Sequence, residues 1–175
     1  KIGKKPIVIP VGVDIKINEN VLVVKGPKGE LNKTFPAGLS FRVENNMLIV
    51  EKAEHAIWGL GRALAANMIT GVTQGFQKVL DFTGVGYKAQ VKNNTLELIL
   101  GFTNPVIVTA PAGVAFKVEK NSITIEGMDP EAIGHVAAKI RSARPPEPYK
   151  GSGIKYRDEV IKRKAGKKAA GTTTA

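Results

Sequence analysis

Short runs of alternating apolar and polar residues recur along this chain and predict half-buried β-strands. Clear examples are the segments VDIKI, VLVVK, FRVE and MLIVE. Two-residue turn sequences interrupt such runs at 19–20, 45–46, 93–94 and 120–121, and asparagine is the second residue each time. Because asparagine tolerates the positive φ of a tight turn, the pattern predicts a β-hairpin at each of these four places.

Apolar residues then recur every three or four positions in two segments, which predicts one helix after each pair of hairpins. The second helix has clear boundaries, because Asp129 can cap it, Pro130 suits its first turn and Pro145 ends it. The apolar helical positions are Ile57, Leu60, Leu64 and Met68 in the first segment and Ile133, Val136 and Ile140 in the second.

The chain contains an internal duplication. PAGLSFRVENNMLIVE (36–51) and PAGVAFKVEKNSITIE (111–126) are identical at eight of sixteen positions, at a constant offset of 75 residues. Two copies with so long a period indicate tandem domains rather than a solenoid. The predicted fold is α+β, with a small, mostly antiparallel sheet packed against one helix in each domain. We place the domains at 1–76 and 77–175, the second with a basic C-terminal extension whose tail, 166–175, is expected to be disordered.

Composition fits a folded protein of a reducing compartment. The 175 residues are 43% hydrophobic and include no cysteine, which permits a core and excludes a disulfide scaffold. No apolar run reaches the roughly 18 residues of a membrane span, and the first ten residues, KIGKKPIVIP, lack the features of a secretion signal. We therefore expect a cytoplasmic protein without a membrane partner.

Positive charge is concentrated at one end. The chain has 26 Lys and Arg against 15 Asp and Glu, a net charge of +11. From Lys139 onward there are eleven basic and three acidic residues, so the last 37 residues carry +8. A block of one sign is typical of a protein that binds a polyanion, and nucleic acid is the leading partner. An anionic membrane is second, but Val160 and Ile161 form too small an apolar face for it.

Residues suited to catalysis are few. His55 and His135 are isolated, without a second histidine or a paired acid nearby, so we interpret them as structural or solvated. GLGRALA (59–65) resembles a dinucleotide fingerprint, but it lies within a helical pattern, where Gly59 and Gly61 would permit close packing. KGPKGE (25–30) lacks the nucleotide-binding ending and is interpreted as a turn that can touch phosphate. No catalytic residue, metal, cofactor or small-molecule substrate is predicted.

Two segments combine glycine, aromatic and basic residues. In PPEPYKGSGIKY (145–156) the prolines are expected to hold the chain extended and to present Tyr149 and Lys150, while the glycines leave backbone amides open to phosphate. Tyrosines can stack on bases and the cations can neutralise phosphates. FTGVGYKA (82–89) is either a β-bulge or close backbone approach inside the second sheet, or a segment in which Tyr87 and Lys88 face a ligand. The candidate RNA-binding residues are Arg141, Arg144, Tyr149, Lys150, Gly151, Ser152, Gly153, Lys155, Tyr156, Arg157, Arg163, Lys164, Lys167 and Lys168, with secondary candidates Lys4, Lys5, Lys28, Tyr87 and Lys88.

PPEPYKGSGIKY followed by RDEVIKRKAGKK resembles the C-terminal signature of the large-subunit ribosomal protein six family, bacterial type. The segments KIGKKPI, GVGYKA and LGFTNPV are similar to that family as well. The resemblance implies a two-domain protein that binds large-subunit ribosomal RNA (23S-type) mainly through its second domain. It also implies neighbouring ribosomal proteins at the stalk base and a place close to the sarcin-ricin loop.

The leading interpretation is therefore a structural RNA-binding protein of the ribosome without catalysis. Two alternatives stay open at this point. One is a small enzyme that uses a cleft between the duplicated domains, and it requires a histidine and a second polar group together in a concave site. The other is a nucleic-acid-binding protein outside the ribosome.

Overall fold

The computed structural model describes residues 2–51 and 55–166, and the secondary structure repeats itself as the duplication predicts. A 3₁₀ turn (Ile2–Lys4) begins the chain. The first repeat then contains β1 (Ile7–Val8), β2 (Asp14–Asn18), β3 (Val21–Gly26), β4 (Gly29–Thr34), β5 (Phe41–Glu44), β6 (Met47–Val50) and α1 (His55–Thr73). The second contains β7 (Phe76–Thr83), β8 (Lys88–Lys92), β9 (Thr95–Ile99), β10 (Val106–Thr109), β11 (Val114–Glu119), β12 (Ser122–Gly127), α2 (Pro130–Ala143) and β13 (Gly153–Tyr156).

Each repeat builds two small sheets, and the two repeats use the same strand order. In the first repeat the orders are β2-β3-β4 and β1-β6-β5, and in the second they are β8-β9-β10 and β11-β12-β7-β13. Thus β7, β12 and β11 repeat the arrangement of β1, β6 and β5, and β13 is an additional strand beside β7. The predicted α+β fold with two duplicated domains is confirmed.

The four predicted hairpin turns are present, and they divide into two kinds. At 45–46 and 93–94 both asparagines have positive φ, between 47° and 61°. At 19–20 and 120–121 only the first residue does, Glu19 at 49° and Lys120 at 45°. The expectation that the second asparagine takes the positive φ is therefore wrong for Asn20 and Asn121, since a two-residue hairpin can place its left-handed residue first.

The first repeat has its own core, and α1 packs against it with Ile57, Leu64 and Met68, three of its four spaced apolar positions. Trp58 and Met68 are among the buried residues, whereas Leu60 is 51% exposed. The fourth spaced position, Leu60, lies outside the buried face of the helix. Gly61 faces the core instead, and a Cβ built there would lie 2.4 Å from Leu39 Cδ1. Apolar residues surround most of α1, so their spacing alone cannot select one face.

Neighbouring residues in the sequence set the boundaries of α2 and the C-terminal end of α1. Helix α2 has the predicted cap, since Asp129 Oδ1 accepts the Glu131 N–H at 2.9 Å, and it ends before Pro145. Helix α1 continues through Gly71 and ends at Thr73, before Gly75 turns the chain at a φ of 76°.

The described residues form two compact units. The first contains the chain up to Gln77 together with 111–114 and 126–133, and the second contains the remainder. Buried residues of the second unit come from β7, β9, β10, β12, α2 and β13, and the fully buried ones include Leu80, Leu98, Ile123, Ile140 and Ile154. Lys167, Lys168 and nearly all of the tail 166–175 lie outside the described residues, so its expected disorder stays a prediction.

Candidate RNA-binding surface

The stretch after α2 folds back on itself as a closed loop. The Ile154 N–H donates to the Arg144 carbonyl at 2.8 Å, which brings the two ends of the segment together. Inside it, the Glu147 N–H donates to the Ser152 carbonyl at 2.8 Å, and the Gly151 N–H donates to the Glu147 carbonyl at 2.9 Å. We call residues 144–154 the proline loop. The expected extended approach is wrong, because these bonds bend the segment into a loop whose exposed tip carries Tyr149 and Lys150.

The two glycines of the proline loop have conformational roles. Gly153 has a φ of 134°, and a Cβ on it would lie 2.5 Å from the Pro145 carbonyl oxygen. Gly151 has a φ of 74° and its N–H is already bonded within the loop. A side chain at Gly153 would collide with backbone, so the loop needs glycine there. The amide of Gly151 is thus not open to phosphate, contrary to the expectation from sequence.

Strand β13 fixes the far end of the loop to the core. It pairs antiparallel with β7, so that Ile154 lies opposite Phe82 and Lys155 opposite Asp81. Ile154 is fully buried. Because alternate residues of a strand point to opposite faces, Lys155 lies on the face away from that core.

A basic groove of about 640 Å³ lies beside the proline loop in the second unit. Its basic side chains are Arg144, Lys150 and Arg163, and none of the described residues that line it is acidic. Gly151 and Ser152 of the loop line it too, as does Tyr87 from the turn between β7 and β8. Candidates that are up to 76 residues apart in sequence are thereby brought together. An all-positive groove with glycine backbone in its wall suits a phosphate chain.

The segment FTGVGYKA forms part of this groove rather than a β-bulge. The Tyr87 N–H donates to the Gly84 carbonyl at 3.4 Å across a tight turn, and a Cβ on Gly84 would lie 2.6 Å from the Tyr87 ring. Thr83 Oγ1 donates to the Gly151 carbonyl at 3.1 Å and joins this segment to the proline loop. Lys88 is exposed on β8, outside the groove.

Phe102 is a site residue that the sequence reading did not include. Its ring is 44% exposed, and the guanidinium carbon of Arg144 lies 5.0 Å from the ring centroid. Such a cation–π contact holds the guanidinium in one direction. The available signal was an aromatic residue in the glycine-containing segment LGFTNPV, directly after Gly101 of the groove wall.

Lys155 and Arg157 lie on a second groove, of about 860 Å³, which shares Thr83 with the basic groove. Its wall carries both signs of charge, because Asp81 and Glu119 line it as well. Arg157 Nη2 lies 3.2 Å from Asp81 Oδ1. The hydrogen bond and charge of Lys117 lower the pKa of Glu119 below its ordinary value, which keeps this carboxylate ionised. The second groove is therefore a weaker attractor for phosphate than the basic groove.

Arg141 and Tyr156 form a contact network rather than an open surface. Arg141 donates two hydrogen bonds to Glu159, from Nε to Oε2 at 2.9 Å and from Nη2 to Oε1 at 2.5 Å. These bonds raise the pKa of Arg141 and lower that of Glu159. The Arg141 guanidinium and the Lys78 ammonium each lie 5.8 Å from the centroid of the Tyr156 ring.

The remaining basic candidates are dispersed. Lys4 and Lys5 are exposed beside the first 3₁₀ turn, and the Lys28 ammonium donates to the Gln74 carbonyl just beyond the end of α1. Lys164 is exposed, and its backbone N–H donates to the Pro148 carbonyl at 2.9 Å.

The geometry offers little to an enzyme. His135 is exposed on α2, away from the basic groove, and the His55 side chain lies outside the described residues. Among the side chains that are described, no group of three or more His, Cys, Asp or Glu could hold a metal ion. Within residues 2–51 and 55–166, no helix is long and apolar enough to cross a membrane.

Comparison with known proteins agrees with the duplicated fold. The family model described as Ribosomal protein L6 matches the chain twice, over residues 9–75 and 83–157, which confirms the internal duplication. Large ribosomal subunit protein uL6 of Fusobacterium nucleatum is 48% identical over 175 residues, covering 97% of this chain and 99% of that protein. The protein of the same name from Prochlorococcus marinus is 50% identical over 173 residues, covering 95% and 97%. The chain therefore belongs to the ribosomal protein L6 family, as its C-terminal signature predicts.

Proposed function

We propose that this chain is a structural constituent of the large subunit of the bacterial cytoplasmic ribosome and that it binds ribosomal RNA without catalysing a reaction. Family membership supports the ribosomal role, since the relatives are named as large-subunit proteins. The observation that carries the RNA-binding role is the basic groove, whose described lining has three cationic side chains and no acidic one. We take the repeats as its two domains, 1–76 and 77–175.

The basic groove is the principal RNA contact in this proposal. Arg144, Lys150 and Arg163 neutralise phosphates of one RNA segment, and each contact releases about one counterion. Tyr149 is 55% exposed at the tip of the proline loop, where it can stack on a sugar or an unpaired base. The second groove, with Lys155 and Arg157, is the weaker contact because Asp81 and Glu119 reduce its positive charge.

The remaining candidates have graded roles. Ser152 and Gly151 shape the wall of the basic groove, and Tyr87 flanks it. Lys164 extends the positive surface past Arg163, and Lys167 and Lys168 continue it in sequence. Lys4, Lys5, Lys28 and Lys88 are secondary contacts outside the groove. The specific partners, 23S-type RNA near the sarcin-ricin loop and the neighbouring proteins of the stalk base, rest on the resemblance of the C-terminal signature.

Salt-dependent binding to a large-subunit RNA fragment that contains the sarcin-ricin loop tests the proposal. Lys150→Ala and Arg163→Ala should each lower the magnitude of the negative slope of log affinity against log salt by about 0.9, because each removes one phosphate contact. Lys155→Ala should lower it less. Lys16→Ala, which removes an exposed charge on β2 of the first repeat, is the control and should leave the slope unchanged.

Two results would contradict the proposal. Unchanged slopes in both Lys150→Ala and Arg163→Ala would mean that the basic groove is not on phosphate. Absence of the native protein from large subunits after a high-salt wash would favour a nucleic-acid-binding role outside the ribosome.

A further inference from the structure

The segment that follows β13 is held at its start by a charged pair. Arg141, in the last turn of α2, donates to both carboxylate oxygens of Glu159. Glu159 Oε2 also accepts the Tyr156 N–H at 3.2 Å, and the Glu159 N–H donates to the Tyr156 carbonyl at 3.0 Å. Four hydrogen bonds therefore fix the backbone of the turn that leaves the strand. The side chains of the charged pair are partly shielded from water, since 33% of the Arg141 side chain and 25% of the Glu159 side chain are exposed.

The same segment is held again at its far end, against the proline loop. The Lys164 N–H donates to the Pro148 carbonyl at 2.9 Å. One residue earlier, the Arg163 guanidinium passes over Gly151, 3.2 Å from the position that a Cβ on this glycine would occupy. Residues 159–164, which we call the strap, thus run from the charged pair back to the loop tip. Arg163 reaches the basic groove only because the strap follows this path.

We propose that Arg141 and Glu159 act as a clasp that positions Arg163 in the basic groove, and that Arg141 is a positioning residue rather than a phosphate contact. The inference rests on the proposed RNA-binding function and assigns different roles to two arginines. Arg163 contacts phosphate, and Arg141 positions it. Arg141 already donates two hydrogen bonds to the Glu159 carboxylate, so its charge is balanced within the protein. Arg163 has no acidic neighbour lining the groove.

Neutralising Glu159 separates this inference from a simple charge effect. If Arg141 contacted RNA, Glu159→Gln would release a cation and remove a negative charge, and binding to a polyanion would become tighter. If the clasp positions the strap, the same substitution weakens binding, because the Arg163 contact is lost. The two interpretations therefore differ in sign. Asp158→Asn is the matched control, since Asp158 is the adjacent, exposed acid of the same turn.

For Glu159→Gln we expect the magnitude of the negative slope of log affinity against log salt to fall by about 0.9. This change corresponds to a roughly fivefold loss of affinity at 0.15 M salt. Asp158→Asn should bind as the parent protein does or more tightly. In the free protein, hydrogen exchange at the Lys164 amide should speed up in Glu159→Gln, because the strap detaches. Unchanged or tighter binding by Glu159→Gln would overturn the clasp.

A double-mutant cycle with Arg163→Ala excludes a general loss of stability as the cause. If the clasp acts through Arg163, adding Glu159→Gln to Arg163→Ala causes no further loss of affinity. A full second loss, or a loss that follows the melting temperature, would overturn the clasp. If Arg163→Ala weakens binding and Glu159→Gln does not, the clasp fails while the proposed function stands. If neither Arg163→Ala nor Lys150→Ala changes binding, the proposed function itself fails.

Discussion

Three glycines in α1 allow packing to be separated from helix propensity. Gly59, Gly61 and Gly71 all lie inside this helix, so replacement by alanine brings each the same intrinsic gain of about 0.5 to 1 kcal/mol. Their surroundings differ. Among the described residues, and apart from the neighbouring backbone of α1, a Cβ on Gly59 meets no atom within 4 Å. One on Gly61 would lie 2.4 Å from Leu39 Cδ1, and one on Gly71 would lie 2.1 Å from the Met128 carbonyl oxygen.

The expected stabilities follow from what each new methyl group meets. Gly59→Ala should stabilise by about 0.5 to 1 kcal/mol, since nothing opposes the helical gain. Gly61→Ala should be neutral or destabilise by up to about 2 kcal/mol, because Leu39 is buried and overpacking costs about 1 to 3 kcal/mol. Gly71→Ala should destabilise by about 2 kcal/mol or more, because a backbone carbonyl has to move and not merely a side chain.

Urea denaturation followed by circular dichroism measures this series, and the slope m should stay constant across the variants. In thermal melts each kcal/mol corresponds to about 2 to 4 °C for a chain of this size. From most to least stable, the predicted order is Gly59→Ala, the parent protein, Gly61→Ala and Gly71→Ala. If Gly71→Ala were as stable as Gly59→Ala, the close approach of α1 to the Met128 carbonyl would be refuted.

Two further predictions concern the C-terminal segment. Gly153→Ala should lower stability by about 3 kcal/mol and weaken RNA binding, because it strains a φ of 134° and drives a methyl group into the Pro145 carbonyl. The control Gly134→Ala in α2 should stabilise, since a Cβ there meets no described atom within 4 Å apart from the helix backbone. A Gly153→Ala variant that melts at or above the parent temperature would contradict this. The hydrogen bonds from Arg141 depress the pKa of Glu159 below its ordinary 4.5. Ionised Glu159 therefore stabilises the fold fully above pH 4.5, and this stabilisation is lost as the pH falls through the lower pKa of the folded state. Unfolding free energy should therefore drop less between pH 5 and pH 3 in Glu159→Gln than in the parent, and equal drops in urea titrations would argue against the ion pair.

Local interactions explain which parts of the fold the sequence predicts. The hairpin turns and both ends of α2 depend on neighbouring residues, so the turn asparagines and the Asp129 cap were sufficient to place them. The polar strand β4 was missed because Leu31 is its single large apolar residue, and its pairing with β3 sustains it. The spacing of apolar residues does not indicate that Leu60 is exposed on α1, because the buried face depends on distant partners such as Leu39.

The candidate site shows the same limit. Composition and spacing identified Lys150 and Arg163 as basic residues near flexible backbone, and the structure places both in one groove. Sequence could not indicate that Arg141 and Arg157 are paired with acids, because Glu159 lies 18 residues from the first and Asp81 lies 76 residues from the second. Whether a cation is available to a ligand is a property of the folded contacts, and a charge count does not contain it.

The two repeats differ at one sheet edge, and the basic groove of the second repeat lies beside that edge, since Thr83 of β7 and Ser152, just before β13, line it. In the first repeat β1 is the edge strand, while in the second β13 covers the equivalent strand, β7. Covering the edge satisfies backbone groups of β7, and burial of Ile154 ties the new strand to the core. The proline loop is therefore anchored by α2 at one end and by β13 at the other, so its cations are already positioned before RNA arrives. Under the proposed function the ordering cost is met during folding, so RNA binding and the stability of the second repeat would depend on the same contacts. RNA that binds only the folded state should then stabilise this repeat.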